Sequence, residues 1–172
     1  MRKSILFIIF LCIEVNVFAQ AKAEKLKIVW PSEWKVIGGE YERKRTIEIL
    51  IPQNEKLRNW SVLGTYICVR KKPENHVDST IKVFLVDMKK IYGDSRIKVL
   101  EKDTLNNSWA IIQAEEMFDR PSMKQQSAIY YIRTGKSNYF ETSVRIKGRD
   151  LPAGFSEKWS ALFKKSELYY EF

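Results

Sequence analysis

Ile81, Phe84, Leu85, Met88 and Tyr92 recur at i, i+3, i+4, i+7 and i+11, which draws one apolar stripe along one side of a helix. A helix with a single apolar face cannot bury that face alone, so the rest of the chain must supply a layer to cover it. Asp78 or Ser79 is placed to cap the start of this helix, and Gly93 follows the last periodic residue as a left-handed stop.

The flanking segments alternate with the period of a strand. Trp30 to Ile37 reads as a turn into a short strand, and Gly38-Gly39 as a two-residue hairpin turn. Tyr41 to Ile51 alternates until Pro52, which lacks the N–H a ladder needs. Ser61 to Arg70 is apolar on both faces and belongs in the middle of a sheet. Beyond the helix, Arg96 to Asp103 and Ser108 to Phe118 are strands around a turn at Leu105-Asn106-Asn107. Ser127 to Thr134 and Tyr139 to Lys147 form a hairpin across Gly135-Lys136-Ser137-Asn138. Phe155, Trp159, Leu162 and Phe163 stripe a second helix, and the aromatic tail Tyr169-Tyr170-Glu171-Phe172 is expected to dock on the core. The expected fold is α+β: a mostly antiparallel sheet of five or six strands, covered by two main helices.

The chain of 172 residues opens with Arg2 and Lys3, the apolar run Ile5 to Ile13, and Val17-Phe18-Ala19 before Gln20. That is the pattern of a signal peptide cleaved after Ala19. Glu14 and Asn16 interrupt the run well short of the roughly 20 apolar residues a membrane span needs. Residues 1–19 are therefore expected to direct export to the periplasm or beyond, 20–29 to be a flexible lead-in, and 30–172 to form one domain. Loss of Arg2, Lys3 and Glu14 takes the net charge from +9 to about +8 and leaves Cys68 without a possible disulfide partner inside the chain. Cys68 sits mid-strand with no CxxC, so it reads as a small core residue.

Little in the chain reads as catalytic. His76, the single histidine, lies in a polar loop away from any GxSxG. Glu115 and Glu116 are neighbours on a strand, which is expected to turn them to opposite faces, one of them pairing with Arg133 or Arg145. No glycine-rich phosphate loop is present, and neither a cofactor nor a metal is expected. The five tryptophans read mainly as core, with Trp30 or Trp34 the best placed to serve as a platform for a ligand.

Trp34-Lys35-Val36, a long strand ending at Ile51-Pro52, the spacer Glu55-Lys56-Leu57-Arg58-Asn59-Trp60, then strand, helix, strands and closing helix, resemble the PsbP-like and DcrB-like superfamily of exported proteins over about residues 30 to 168. That resemblance implies an α/β/α sandwich and a non-enzymatic envelope or lumenal protein acting through its surface. The basic residues are clustered, and the binding candidates are Arg43, Lys44, Arg45, Arg145, Lys147 and Arg149, with Trp34. The expected role is a non-enzymatic binding or adaptor protein recognising an acidic partner, a protein or an anionic lipid head group or polysaccharide, and not nucleic acid. The alternatives are an immunity or inhibitor protein against an exported effector, and an enzyme acting on envelope polymers.

Overall fold

A computed structural model describes residues 23–70, 77–106, 108–119 and 124–171. Residues 1–19, read from the sequence as a signal peptide, and His76 lie outside these. Seven antiparallel strands form one sheet: β2 (Trp34–Tyr41), β3 (Arg45–Pro52), β4 (Val62–Val69), β5 (Arg96–Lys102), β6 (Trp109–Asp119), β7 (Lys124–Thr134) and β8 (Tyr139–Lys147), in the spatial order β2-β3-β4-β8-β7-β6-β5. A separate two-stranded ribbon pairs β1 (Ala23–Lys27) with β9 (Glu167–Glu171). Helix α1 (Val77–Tyr92) lies on one face of the sheet, and α2 (Phe155–Phe163) on the other. The α+β architecture is the expected one, and β4 is central as its two-sided apolarity required, but the main sheet has seven strands and the ribbon adds two more.

The period-two alternation sorts side chains onto two cores. On one face, Val77, Ile81, Phe84 and Met88 of α1 pack on Ala110, Ile112, Ala128, Tyr130 and Ile132. The small Ala110, Ala114 and Ala128 let the helix approach, and Phe84 meets Tyr130 edge-on at 5.1 Å. On the other face, Trp159 and Phe163 of α2 join Ile111, Ile129, Tyr131, Phe140 and Val144. Phe163 stacks on Tyr131 at 5.6 Å, and Trp30 and Trp34 close this layer against Trp159.

Several expectations are corrected. The polar segment read as a flexible lead-in contains β1, whose Glu24 and Leu26 are buried. Glu24 is buried because the β7–β8 turn satisfies it: its carboxylate accepts the backbone N–H groups of Lys136 (2.8 Å), Ser137 (3.0 Å) and Asn138 (3.0 Å), together with the Tyr170 hydroxyl (3.2 Å). Burial pushes the carboxyl pKa up, and these donors more than offset it, so the group lies below its usual range. Gly38-Gly39 is not a turn. Strand β2 runs through it with a bulge between Val36 and Gly38, and the chain reverses later, where Glu42 and Arg45 exchange backbone hydrogen bonds. Helix α1 begins at Val77, one residue before the first proposed cap, and Asp78 sits in its first turn against Lys102 (2.8 Å). Gly93 does stop it, with φ at 66°.

Glu115 and Glu116 differ most from expectation. A bulge between Ala114 and Met117 puts Glu116 at φ 58°, so the strict alternation fails locally and both carboxylates reach Arg96, at 3.2 and 3.1 Å. Asp150 pairs with the same guanidinium, and Arg149 pairs with Glu116 at 3.1 Å. The partners are Arg96 and Arg149, not Arg133 or Arg145. Arg133 instead donates to the Ser166 carbonyl at 3.0 Å and to the Tyr131 hydroxyl at 3.3 Å.

Candidate functional site

Helix α1 is one helix wide and packs on β6 and β7, while the sheet continues through β8, β4 and β3. Register places Tyr139, Glu141, Ser143 and Arg145 of β8 on the α1 face, opposite Val69, Ile67, Thr65 and Leu63 of β4. The unfilled angle between helix and sheet is a cleft of about 470 Å³. Its helix wall presents Thr80, Val83, Phe84, Asp87, Met88 and Ile91, its floor Tyr130, Tyr139, Glu141 and Val69, and Arg45 and Arg145 enter from β3 and β8. Val83 and Ile91 are more than half exposed, an uncommon state for the flank of a core-packed helix.

The cleft is where ionisable groups converge. Tyr139 donates to Glu141 at 3.0 Å, and burial, with that carboxylate beside it, drives the phenol upward. Burial raises the Glu141 pKa above the ordinary carboxylate range, and the Tyr139 hydroxyl, Arg145 and Arg45 only partly offset the rise. For Arg145, burial works against the charge, but the Tyr130 and Tyr92 hydroxyls and Glu141 outweigh it and the guanidinium is held above its usual value. No ion pair within 4.0 Å engages Arg45 or Arg145 among the described residues, and the buried Nε of Arg145 has no hydrogen-bond partner there. Asp87, at the rim, pairs with Lys90 at 3.6 Å.

The residues singled out from the sequence are thereby sorted. Arg45 and Arg145 share the cleft, while Arg43 and Lys44 stand exposed in the β2–β3 turn beside it, where Arg70 donates its backbone N–H to the Lys44 carbonyl at 2.8 Å. Lys147, at the far end of β8, lies 4.7 Å from the ring centre of Trp60, and Arg149 is engaged by Glu116. Trp34 is on the opposite face, stacked on Trp30 at 5.5 Å and edge-on to Trp159 at 5.3 Å, so it is separated from the basic candidates by the thickness of the sheet. Cys68 is half-buried on that same face, and burial raises its thiol pKa. Glu141 was missed because its place in the alternation of β8 marks it as a solvent-facing residue; the only signal was its position between two arginine-bearing registers, Arg45 and Arg145.

No protein-family model matches the sequence, and no curated protein matches it. Solved structures do match the fold. The Ran-binding protein Mog1p of Saccharomyces cerevisiae superposes with a TM-score of 0.54 at 9% identity, over 85% of this chain and 94% of that one. A protein from Bacteroides thetaiotaomicron matches with a TM-score of 0.51 at 13% identity, over 85% of this chain and 46% of that one. These likenesses establish a shared α/β fold, carried by proteins that are not PsbP or DcrB by name.

Proposed function

We propose that this chain is an exported, non-enzymatic binding or adaptor protein of the cell envelope, which recognises an acidic protein partner through the end of the sheet where Arg43, Lys44, Arg45 and Arg70 stand. The observation that carries the reading is the clustering of these four basic residues at one end of β3 and β4, none of them in an ion pair among the described residues. Unpaired cations on adjacent strands repel one another, a cost that an acidic surface would relieve on docking. A protein of the same fold named for binding Ran supports a surface-acting role, and kinship with the PsbP-like and DcrB-like group accords with the order of elements. Export rests on the opening residues, and no helix among the described residues is long and apolar enough to cross a membrane.

The test is a pull-down from envelope extract with the full tagged chain and with a triple charge reversal, Arg43→Glu, Lys44→Glu and Arg45→Glu, at low and high salt. One acidic protein retained by the native chain at low salt and lost by the reversal supports the reading. Equal capture by both chains refutes it.

The cleft favours a second reading, an enzyme acting on envelope polymers, because Glu141, Tyr139 and Arg145 converge in one concave space with shifted pKa values. Turnover of peptidoglycan or envelope polysaccharide that vanishes in Glu141→Gln would establish that reading over the first.

A further inference from the structure

A guanidinium held in an apolar-walled cleft without a carboxylate in contact is an incomplete arrangement. Arg145 is held charged by the Tyr130 and Tyr92 hydroxyls and Glu141 despite its burial, yet its Nε is unpartnered and it makes no ion pair within 4.0 Å among the described residues. Arg45 faces the same space from β3 and is likewise unpaired among the described residues. Opposite them, Val83 and Ile91 leave more than half of their surface to water. Cations along one side and apolar surface along the other form a matched pair of features for one kind of molecule.

We propose that the cleft between α1 and strands β3, β4 and β8 binds a small amphipathic organic carboxylate, its head group on Arg145 and Arg45 and its apolar body against Val83 and Ile91. The volume, about 470 Å³, falls in the range of small-molecule sites, which combine mostly apolar walls with a few convergent polar groups. Arginine suits the head group because its fork meets the two oxygens of a carboxylate together. Burial keeps Tyr130 and Tyr139 neutral, so neither repels an anion, and with their hydroxyls directed to the Met117 sulfur and to Glu141 the head group is left to the two guanidiniums. The other acid on the floor, Glu141, has its carboxyl pKa raised by that same burial, which lessens its repulsion of a second carboxylate, and Asp87 at the rim is answered by Lys90. This site is separate from the docking surface proposed above, although Arg45 borders both.

The experiment is calorimetric titration of the full chain with decanoate, decanol and decyltrimethylammonium, which share an apolar body and differ in head group. Decanoate is expected to bind one-to-one, with decanol at least about tenfold weaker and the ammonium compound not at all, since a charged hydrogen bond is worth about that factor or more. Arg145→Gln should weaken decanoate by at least about tenfold while changing decanol by less than about twofold. Val83→Trp, on an exposed turn of the helix where the fold is not at stake, should block decanoate by filling the cleft mouth. Decyl phosphate separates the head groups: binding weaker than decanoate fits the carboxylate assignment, and tighter binding overturns it. The proposal also fails if decanoate does not saturate, if decanol binds equally, or if Val83→Trp binds as the native chain does. Should Arg145→Gln fail to fold, Arg45→Met takes its place, and undiminished decanoate binding by that variant refutes the head-group assignment.

Discussion

Replacing Glu24 tests how much of the fold hangs on one carboxylate. The side chain accepts three backbone N–H groups and two hydroxyls, and Asn138 returns a bond from its amide to the Glu24 carbonyl at 2.7 Å. In Glu24→Ala the exposed Lys136 and Ser137 amides regain water, so each loses only about 1 kcal/mol, the net worth of a bond. Asn138 is 5% exposed, so its amide is left unpaired at about 1–3 kcal/mol. Together the loss is about 3–5 kcal/mol, a large share of the roughly 5–15 kcal/mol a domain possesses. Glu24→Gln keeps one acceptor oxygen but turns a donor toward a donor, and should cost about 2–3 kcal/mol.

The pH dependence has a definite sign. The folded-state pKa is depressed, so the ionised group contributes stability above its unfolded pKa, near 4.3, and that contribution drains away as pH falls through the folded value. Urea unfolding of the native chain and Glu24→Gln at pH 7 and pH 3 should therefore show a gap that narrows in acid. Amide exchange should show lost protection at Asn138 in the variant. A Glu24→Ala loss under about 1 kcal/mol, or an equal gap at both pH values, would refute the account.

Gly135→Ala should destabilise the same turn, because a Cβ there collides with the Glu24 carboxylate, and a urea midpoint equal to that of the native chain would contradict it. Phe84→Ala should cost about 3–5 kcal/mol through the cavity it opens between α1 and Tyr130, read from thermal unfolding. Glu141 behaves oppositely to Glu24: its raised pKa means the protonated fold is favoured, with that stability complete below the unfolded pKa and lost as pH rises through the folded one. Glu141→Gln should consequently gain stability relative to the native chain as pH rises above the ordinary carboxylate range, read from urea titrations of both chains in acid and at neutral pH.

The elements with a strong local period were legible in the sequence. The stripe from Ile81 to Tyr92 found α1, and the hairpin around Gly135–Asn138 is where the alternation placed it, with β8 on its expected residues and β7 starting three residues earlier. What escaped depends on partners far along the chain. Glu24 looks like one polar residue among many until the turn some 112 residues later donates three amides to it. The convergence of Glu115 and Glu116 depends on a non-glycine residue at positive φ, which no alternation announces. Arg45 and Arg145 were recognised as basic candidates, but that they face one cleft follows from α1 stopping its cover at β7, a tertiary fact. Trp34 went the other way, because aromatic content says nothing of which face of the sheet will claim it.

The β1–β9 ribbon sets Ala23 directly across from Glu171 in register. Two segments separated by nearly the whole chain thus close a ring, and the ring is topologically complete save for one short link. A peptide joining residue 171 to residue 23 would make the covalent path circular without moving either strand, and new termini opened in the exposed turn at Glu42–Lys44 would leave every strand of both sheets intact. In such a permuted chain β1 and β9 become a local hairpin, so a contact that must otherwise wait for distant ends to meet would form early, and folding should quicken.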